Sequence, residues 1–245
     1  MREQSKVTGI VLSVYPVGEN DRRLTILTKE RGKITVFARG CRKPNHPLFG
    51  VTQPLIYCEF MLTEGRSYHF LNSAEGKDFF PHLKTDLDSI YYSSYFAELA
   101  EYFTLEDTDE RNVLNLLFLT FSAMKKKQVP LPLIRRIFEL KIMQCCGIGP
   151  EVFQCVSCGS EERLLGLVPE EGGTICEDCK KGRRVSEISP AALYALQYVM
   201  AAPLQKLYSF SLKEKVFLEF SWAVNRFFHI HVDHAFRSAE MLDML

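Results

Sequence analysis

The chain has 245 residues, 47% of them apolar, and 30 basic side chains against 30 acidic ones. That is material for one large domain or two to three small ones, and the neutral total excludes a uniformly basic coat for nucleic acid. No apolar run reaches the roughly 18–20 residues of a membrane span, and Met1–Lys6 leads straight into a strand-like segment with no apolar signal region. The chain is therefore expected to be soluble and to stay where it is made.

Residues 6–73 predict five short strands. Lys6–Tyr15 is apolar and β-branched, and Pro16–Asp21 is a turn. Arg22–Thr28 alternates, with Leu24, Ile26 and Thr28 on one side and Arg23, Thr25 and Leu27 on the other. Lys29–Gly32 reads as a hairpin turn with Gly32 where a positive φ is wanted. Lys33–Arg39 alternates again. A basic loop, Gly40–Gly50, precedes a long strand over Pro54–Thr63, and a turn at Glu64–Arg66 leads into Ser67–Ser73. Five strands in under eighty residues, with a long third connection, predict a small closed barrel of the OB type, an SH3-like barrel being the alternative.

From Thr85 the period becomes helical. Thr85 at the N-cap with Asp88 three residues on predicts a start, and Tyr91, Tyr95, Leu99 and Tyr102 share one face. A second helix follows Thr108, with Val113, Leu117, Phe121 and Met124 on its face. Pro130 and Pro132 open a third carrying Ile134, Phe138, Ile142 and Cys145, which ends at Gly147. Ser189-Pro190 starts a fourth that ends near Pro203. Ser211–Glu214 reads as a capping box for a fifth, which holds the lone Trp222.

Between the third and fourth helices lies the most specific chemical signal, Cys155-Val-Ser-Cys158-Gly159 and Cys176-Glu-Asp-Cys179, with seventeen residues between Cys158 and Cys176. Each Cys-x-x-Cys supplies two thiolates from one tight turn, and the intervening segment is long enough to fold back and close a tetrahedral cage. Gly159 lets the backbone turn tightly there. Four thiolates give one Zn²⁺ a closed, structural site with no position open for water. Lys180, Lys181, Arg183 and Arg184 follow and offset its negative charge. A redox dithiol or a disulfide pair accounts for only half of this spacing. Cys41, Cys58, Cys145 and Cys146 follow no pairing pattern, which fits a reducing compartment.

The fold class expected is thus α+β and multidomain. Residues 1–80 form an OB-type five-stranded barrel for nucleic acid. Residues 81–153 and 186–245 form a helical domain, and 154–185 a zinc-ribbon insertion.

Charge is segregated along this frame. Arg22, Arg23, Lys29, Arg31, Lys33, Arg39, Arg42 and Lys43 face Glu30 alone. They fall on strands two and three, their turn and the next loop, which makes them candidates for phosphate contact. Tyr15, Phe37, Phe49 and Tyr68 are candidates for base stacking; a solvated edge protected by lysines is the blander alternative. The acids from Glu98 to Glu110 read as a solvated face. Lys125, Lys126 and Lys127 complement a helix dipole. Arg135, Arg136 and Lys141, beside an apolar helix face, suit an acidic, hydrophobic peptide. His229, His231 and His234 read as a helix-end cluster, the last two on one face. Walker, Gly-x-Gly-x-x-Gly, Gly-x-Ser-x-Gly and His-Glu-x-x-His motifs do not occur, Cys41 has no base partner, and an enzyme is not indicated.

These motifs, in this order, resemble the RecO family of bacterial recombination mediators. The likeness rests on Ile10-Val11-Leu12, Glu19-Asn20-Asp21, Thr28, Gly32-Lys33, Arg39-Gly40, Gln53-Pro54 and Phe138-Glu139-Leu140 before Gly147. It continues through the two Cys pairs, Gly172-Gly173 and Arg237-Ser238. Cys41 and Asn45-His46 depart from the family's usual small residue and serine. The resemblance implies a non-enzymatic protein of DNA repair, recombination and the DNA damage response. Such a protein binds single- and double-stranded DNA, anneals complementary strands and joins RecR. It helps load RecA onto strands coated by single-stranded DNA-binding protein (SSB), and RecF and RecA are reached indirectly. It further implies a cytoplasmic, nucleoid-associated protein whose helical domain holds the SSB C-terminal tail, for which Arg135, Arg136 and Lys141 are the candidates. A zinc-ribbon factor acting on RNA or in transcription is the alternative.

Overall fold

Alternating apolar residues close the N-terminal strands into a barrel in the computed structural model, which describes residues 4–65 and 68–242. The strands are β1 (Gln4–Val17), β2 (Asp21–Thr28), β3 (Gly32–Ala38), β4 (Tyr57–Thr63) and β5 (His69–Asp78), in the closed order β1-β2-β3-β5-β4. Every neighbouring pair is antiparallel except β3 and β5, whose short parallel contact closes the sheet. That is the OB-type barrel expected, as a closed sheet with no free edge. Val11, Leu24, Ile26, Val36, Phe60 and Leu62 fill its interior. β1 pairs with both β2 and β4, and Gly9 sits where a Cβ would lie 2.2 Å from the Leu27 carbonyl oxygen. Only glycine allows that approach. β4 begins at Tyr57, not Pro54, because Pro54 and Leu55 form a turn in which Leu55 has φ 64°. β5 extends past Ser73 to Asp78, while the expected turn and strand start at Arg66 and Ser67 lie outside the described residues.

The chain divides into two compact units, Met1–Phe121 with Phe236–Leu245, and Ser122–Ala235. The first adds to the barrel α1 (Leu87–Phe103), most of α2 (Arg111–Lys126) and α6 (Arg237–Leu242). α1 begins one residue later than expected: its cap is Asp86, whose carboxylate accepts from the Ser89 N–H. Thr85 instead donates to the His82 carbonyl, because a 3₁₀ turn over Pro81–Lys84 precedes it. Tyr95 and Leu99 are buried as expected, whereas Tyr102 remains largely exposed, its ring edge-on to Phe236. Val113, Leu117, Phe121 and Met124 are all buried. Several acids expected to form a solvated face have structural partners. The Glu98 carboxylate accepts from the N–H groups of Arg237 and Ser238, at the start of α6, and Glu101 accepts from Thr25.

The second unit holds α3 (Leu131–Cys145), α4 (Pro190–Ala201) and α5 (Glu214–His231), with β6 (Leu164–Val168), β7 (Gly173–Cys176) and β8 (Ser186–Glu187) forming a small sheet between α3 and α4. Pro130 and Pro132 open α3, and the Ser189 hydroxyl caps α4 as expected. α5 starts without the expected capping box: Lys213 is its N-cap, and its side chain makes no capping bond. Among the described residues, no helix is long and apolar enough to cross a membrane.

Candidate nucleic-acid interface and metal centre

The basic residues of the barrel fall into two groups by what their side chains touch. Arg22 is a rim joint. Its Nη1 donates to the Thr52 hydroxyl (2.7 Å) and to the carbonyls of Phe49 (3.1 Å) and Thr52 (3.3 Å), and its guanidinium lies over the Phe49 ring. Lys33 Nζ donates to the Glu101 carbonyl (2.6 Å), and its N–H to the Leu105 carbonyl (3.0 Å). The β2–β3 turn is thereby held against the chain that follows α1. Gly32 there has φ 62°, and a Cβ would come within 2.7 Å of the Thr108 oxygen. The glycine is needed for its backbone angle, as the sequence predicts, and for close packing as well. Arg31 pairs with Glu64 at 2.8 Å.

The other basic residues point outward. Arg23 and Arg39 are exposed, each over a ring: Arg23 above Tyr15 (5.0 Å) and Arg39 above Phe70 (4.4 Å). Lys29 is exposed on the hairpin turn, and Arg42 and Lys43 on the loop after β3. That loop is well anchored. Cys41 and Leu48 are buried in the barrel core, Gly40 donates to the Asp21 carboxylate (2.7 Å), and Arg42 donates to the Asn20 and Gly18 carbonyls. The β1–β2 turn and the β3–β4 loop thus form one rim carrying Arg39, Arg42 and Lys43. Cys41 packs with the apolar interior although Arg39 and Arg42 are close to it in sequence.

Phe70 was not among the expected stacking candidates. Its signal was the alternation with buried Leu71, which puts Phe70 on the outer face.

In the second unit, Arg135 and Arg136 bracket Glu139 at 2.9 and 2.6 Å, and Glu139 is 1% exposed. Arg136 also donates to Ser221 and Asn225 of α5. Lys141 is buried and donates to the carbonyls of Val199 (3.1 Å), Met200 (3.0 Å) and Ala202 (3.1 Å). All three ammonium donors therefore serve the end of α4, which corrects its expected role in holding a peptide. The physical reason is Pro203: it has no N–H to offer Val199 four residues back, and Lys141 supplies the donor instead. His231 stacks on Phe227, with Nε2 2.9 Å from the Pro169 carbonyl. His234 lies beyond the end of α5, so the two do not share a helix face.

The four cysteines Cys155, Cys158, Cys176 and Cys179 converge, with all sulfurs within 4.8 Å of one another and Cys158 and Cys176 at 3.8 Å. Metal–sulfur bonds of about 2.3 Å in a tetrahedron require sulfur separations of about 3.8 Å, so this donor set can hold a metal ion. Gly159 has φ 75°, and its N–H closes the first Cys turn on the Cys155 carbonyl (2.8 Å). Gly173 sits where a Cβ would meet the Glu151 oxygen at 2.2 Å. Burial pushes the Cys155 thiol up, but backbone N–H groups of Cys176, Cys158 and Ser157 outweigh it and bring it down to about 6. Cys179 is pushed up to about 12 through hydrogen bonds with the Cys158 and Cys176 sulfurs. Four thiolates gathered here could hold a cation, which would offset their charge.

Residues 84–240 match the family described as Recombination protein O C terminal, and residues 1–80 match Recombination protein O N terminal. A DNA repair protein RecO of Alkaliphilus metalliredigens is 32% identical over 239 residues, covering 96% of this chain and 97% of that protein. One from Desulforudis audaxviator is 34% identical over 179 residues, 73% of this chain and 71% of the relative. Another, from Desulforamulus reducens, is 29% identical over 98% of this chain and 94% of its own length.

Proposed function

The chain belongs to the RecO family of DNA repair proteins, and from that premise we propose that it is a recombination mediator acting without catalysis. In this reading it binds single- and double-stranded DNA, anneals complementary strands, and with RecR helps load RecA onto SSB-coated single strands. RecF and RecA are engaged indirectly. The observation that carries it is the outward basic rim of a closed barrel, Arg23, Arg39, Arg42 and Lys43, anchored by bonds that Arg22 supplies, with Lys29 exposed on the β2–β3 turn at the other end of the strands. A fixed row of cations suits a phosphate backbone, since its affinity comes from displaced counterions and costs little ordering.

Residues 1–80 then serve as the DNA-binding module. The helical parts, 81–153 and 186–245, hold partners, and 154–185 is a clip closed by one structural Zn²⁺ on Cys155, Cys158, Cys176 and Cys179. The acidic SSB tail is assigned to Arg135 and Arg136. The protein works in the cytoplasm, at the nucleoid. The test is RecA filament formation on SSB-coated single strands with RecR present, with and without this protein. Faster filament formation supports the reading, and an unchanged rate rejects mediation. Competition between RNA and single-stranded DNA of one sequence separates this reading from an RNA-acting factor.

A further inference from the structure

One outward row of the barrel carries rings where a solvated face would carry polar groups. The register pairs Tyr15 with Arg23, Arg23 with Phe37 and Phe37 with Phe70, so these four side chains cross β1, β2, β3 and β5 in a single line. Their chain neighbours Leu24, Val36 and Leu71 are buried inside, which fixes the row on the outer surface. Tyr68 adds a third ring beside Phe37 (centroids 4.7 Å) and Phe70 (5.5 Å), and Arg39 lies over Phe70. Toward the hairpin turn the same outer face is covered, Thr25 and Lys33 bonding to Glu101. The cover stops there: Tyr15 and Tyr68 are 48% and 44% exposed.

Resting on the DNA-binding reading, we infer that this aromatic–guanidinium row is a base-stacking platform for single-stranded DNA and sets a preference for single strands over duplex. Rings accept any base face, and Arg23 and Arg39, which lie over Tyr15 and Phe70 in the free protein, can swing from those rings to the backbone phosphates as bases take their place. A duplex keeps its bases paired and stacked within itself and offers the row only phosphates. The basic rim therefore serves both forms of DNA, and the row serves one.

The test uses the full chain, its metal retained, with three probes of about 20 units, longer than one barrel's site: an oligothymidylate, an abasic strand with the same backbone, and a duplex. Phe37→Leu/Phe70→Leu keeps apolar bulk and removes the rings; Tyr15→Leu/Tyr68→Leu does so at exposed positions where folding is not at stake. Each ring lost should weaken oligothymidylate binding about fivefold or more, with abasic and duplex affinities and the salt slope unchanged. If the wild-type chain binds the abasic strand as tightly as oligothymidylate, or if the Tyr15/Tyr68 variant loses nothing, the platform is refuted while charge-tracked DNA binding stands. If the wild-type chain binds none of the probes, the DNA-binding reading itself fails and takes the platform with it.

Discussion

Replacing Arg39, Arg42 and Lys43 together with alanine should flatten the salt dependence of single-strand binding without unfolding the barrel. All three side chains are exposed. What they contribute to the fold is small: Arg42 Nη1 donates to the Gly18 carbonyl at 3.2 Å, and Arg39 rests on the Phe70 ring. Of the eight candidate cations five point outward, these three with Arg23 and Lys29, whereas Arg22, Arg31 and Lys33 are engaged with protein acceptors. Each phosphate neutralised on a single strand contributes about −0.7 to the slope of log affinity against log salt, so five contacts predict about −3.5 and two about −1.4. A fourfold rise in salt should then weaken the wild-type protein on the order of 100-fold and the variant by under tenfold. Fluorescence anisotropy of a labelled single strand across a salt series measures both slopes. A variant slope equal to the wild-type slope would show that DNA follows another surface. Arg22→Ala/Lys33→Ala supplies the contrast: it should lower the melting temperature by loosening the rim and the β2–β3 turn, and leave the slope close to that of the wild type.

Other expectations follow from single features. Lys141→Met leaves the Val199 and Ala202 carbonyls without that donor, whereas Met200 keeps Gln144. The predicted loss is about 2–4 kcal/mol, read from denaturant unfolding. A loss under about 0.5 kcal/mol would mean that relief from burying an ammonium offsets the lost bonds. Stripping the metal should raise hydrogen exchange in α4 and α5 before the barrel. The ribbon and the chain leading into it reach those helices through Arg226 to Glu170 and Gln197 to the Val152 carbonyl. Unchanged exchange there, with DNA binding lost, would move the ribbon to the functional surface. Glu139→Gln removes the buried acid between Arg135 and Arg136, and should tighten binding of an acidic SSB-tail peptide about fivefold; unchanged affinity, with the fold intact, would remove those arginines from the tail site.

Local patterns carried much of this structure, and distant partners carried the rest. The five strands, the Gly32 turn and the cysteine quartet could be read because each rests on spacing within a short window. Lys141 could not: its acceptors lie 58–61 residues away, and its role depends on the missing N–H of Pro203. The same holds for Lys33, whose acceptor Glu101 is 68 residues off. Both looked like members of basic clusters because charge in sequence says nothing of what the ammonium meets. The helix starts failed for a nearer reason. Thr85 and Ser211 have the right chemistry for caps, but the chain enters the helix one residue later, after Asp86, and two residues later, after Lys213. Beyond Ser73, β5 is mostly polar on the outside of the barrel and lacks the apolar alternation that marks its first half.

Annealing of complementary strands precoated with SSB tests the central claim most directly, that the outward rim of the barrel handles single-stranded DNA. The account predicts that the wild-type protein accelerates duplex formation and that the Arg39/Arg42/Lys43 alanine variant, folded and with its metal retained, does so far more slowly. Equal acceleration by the two proteins, or none by the wild type, would contradict it.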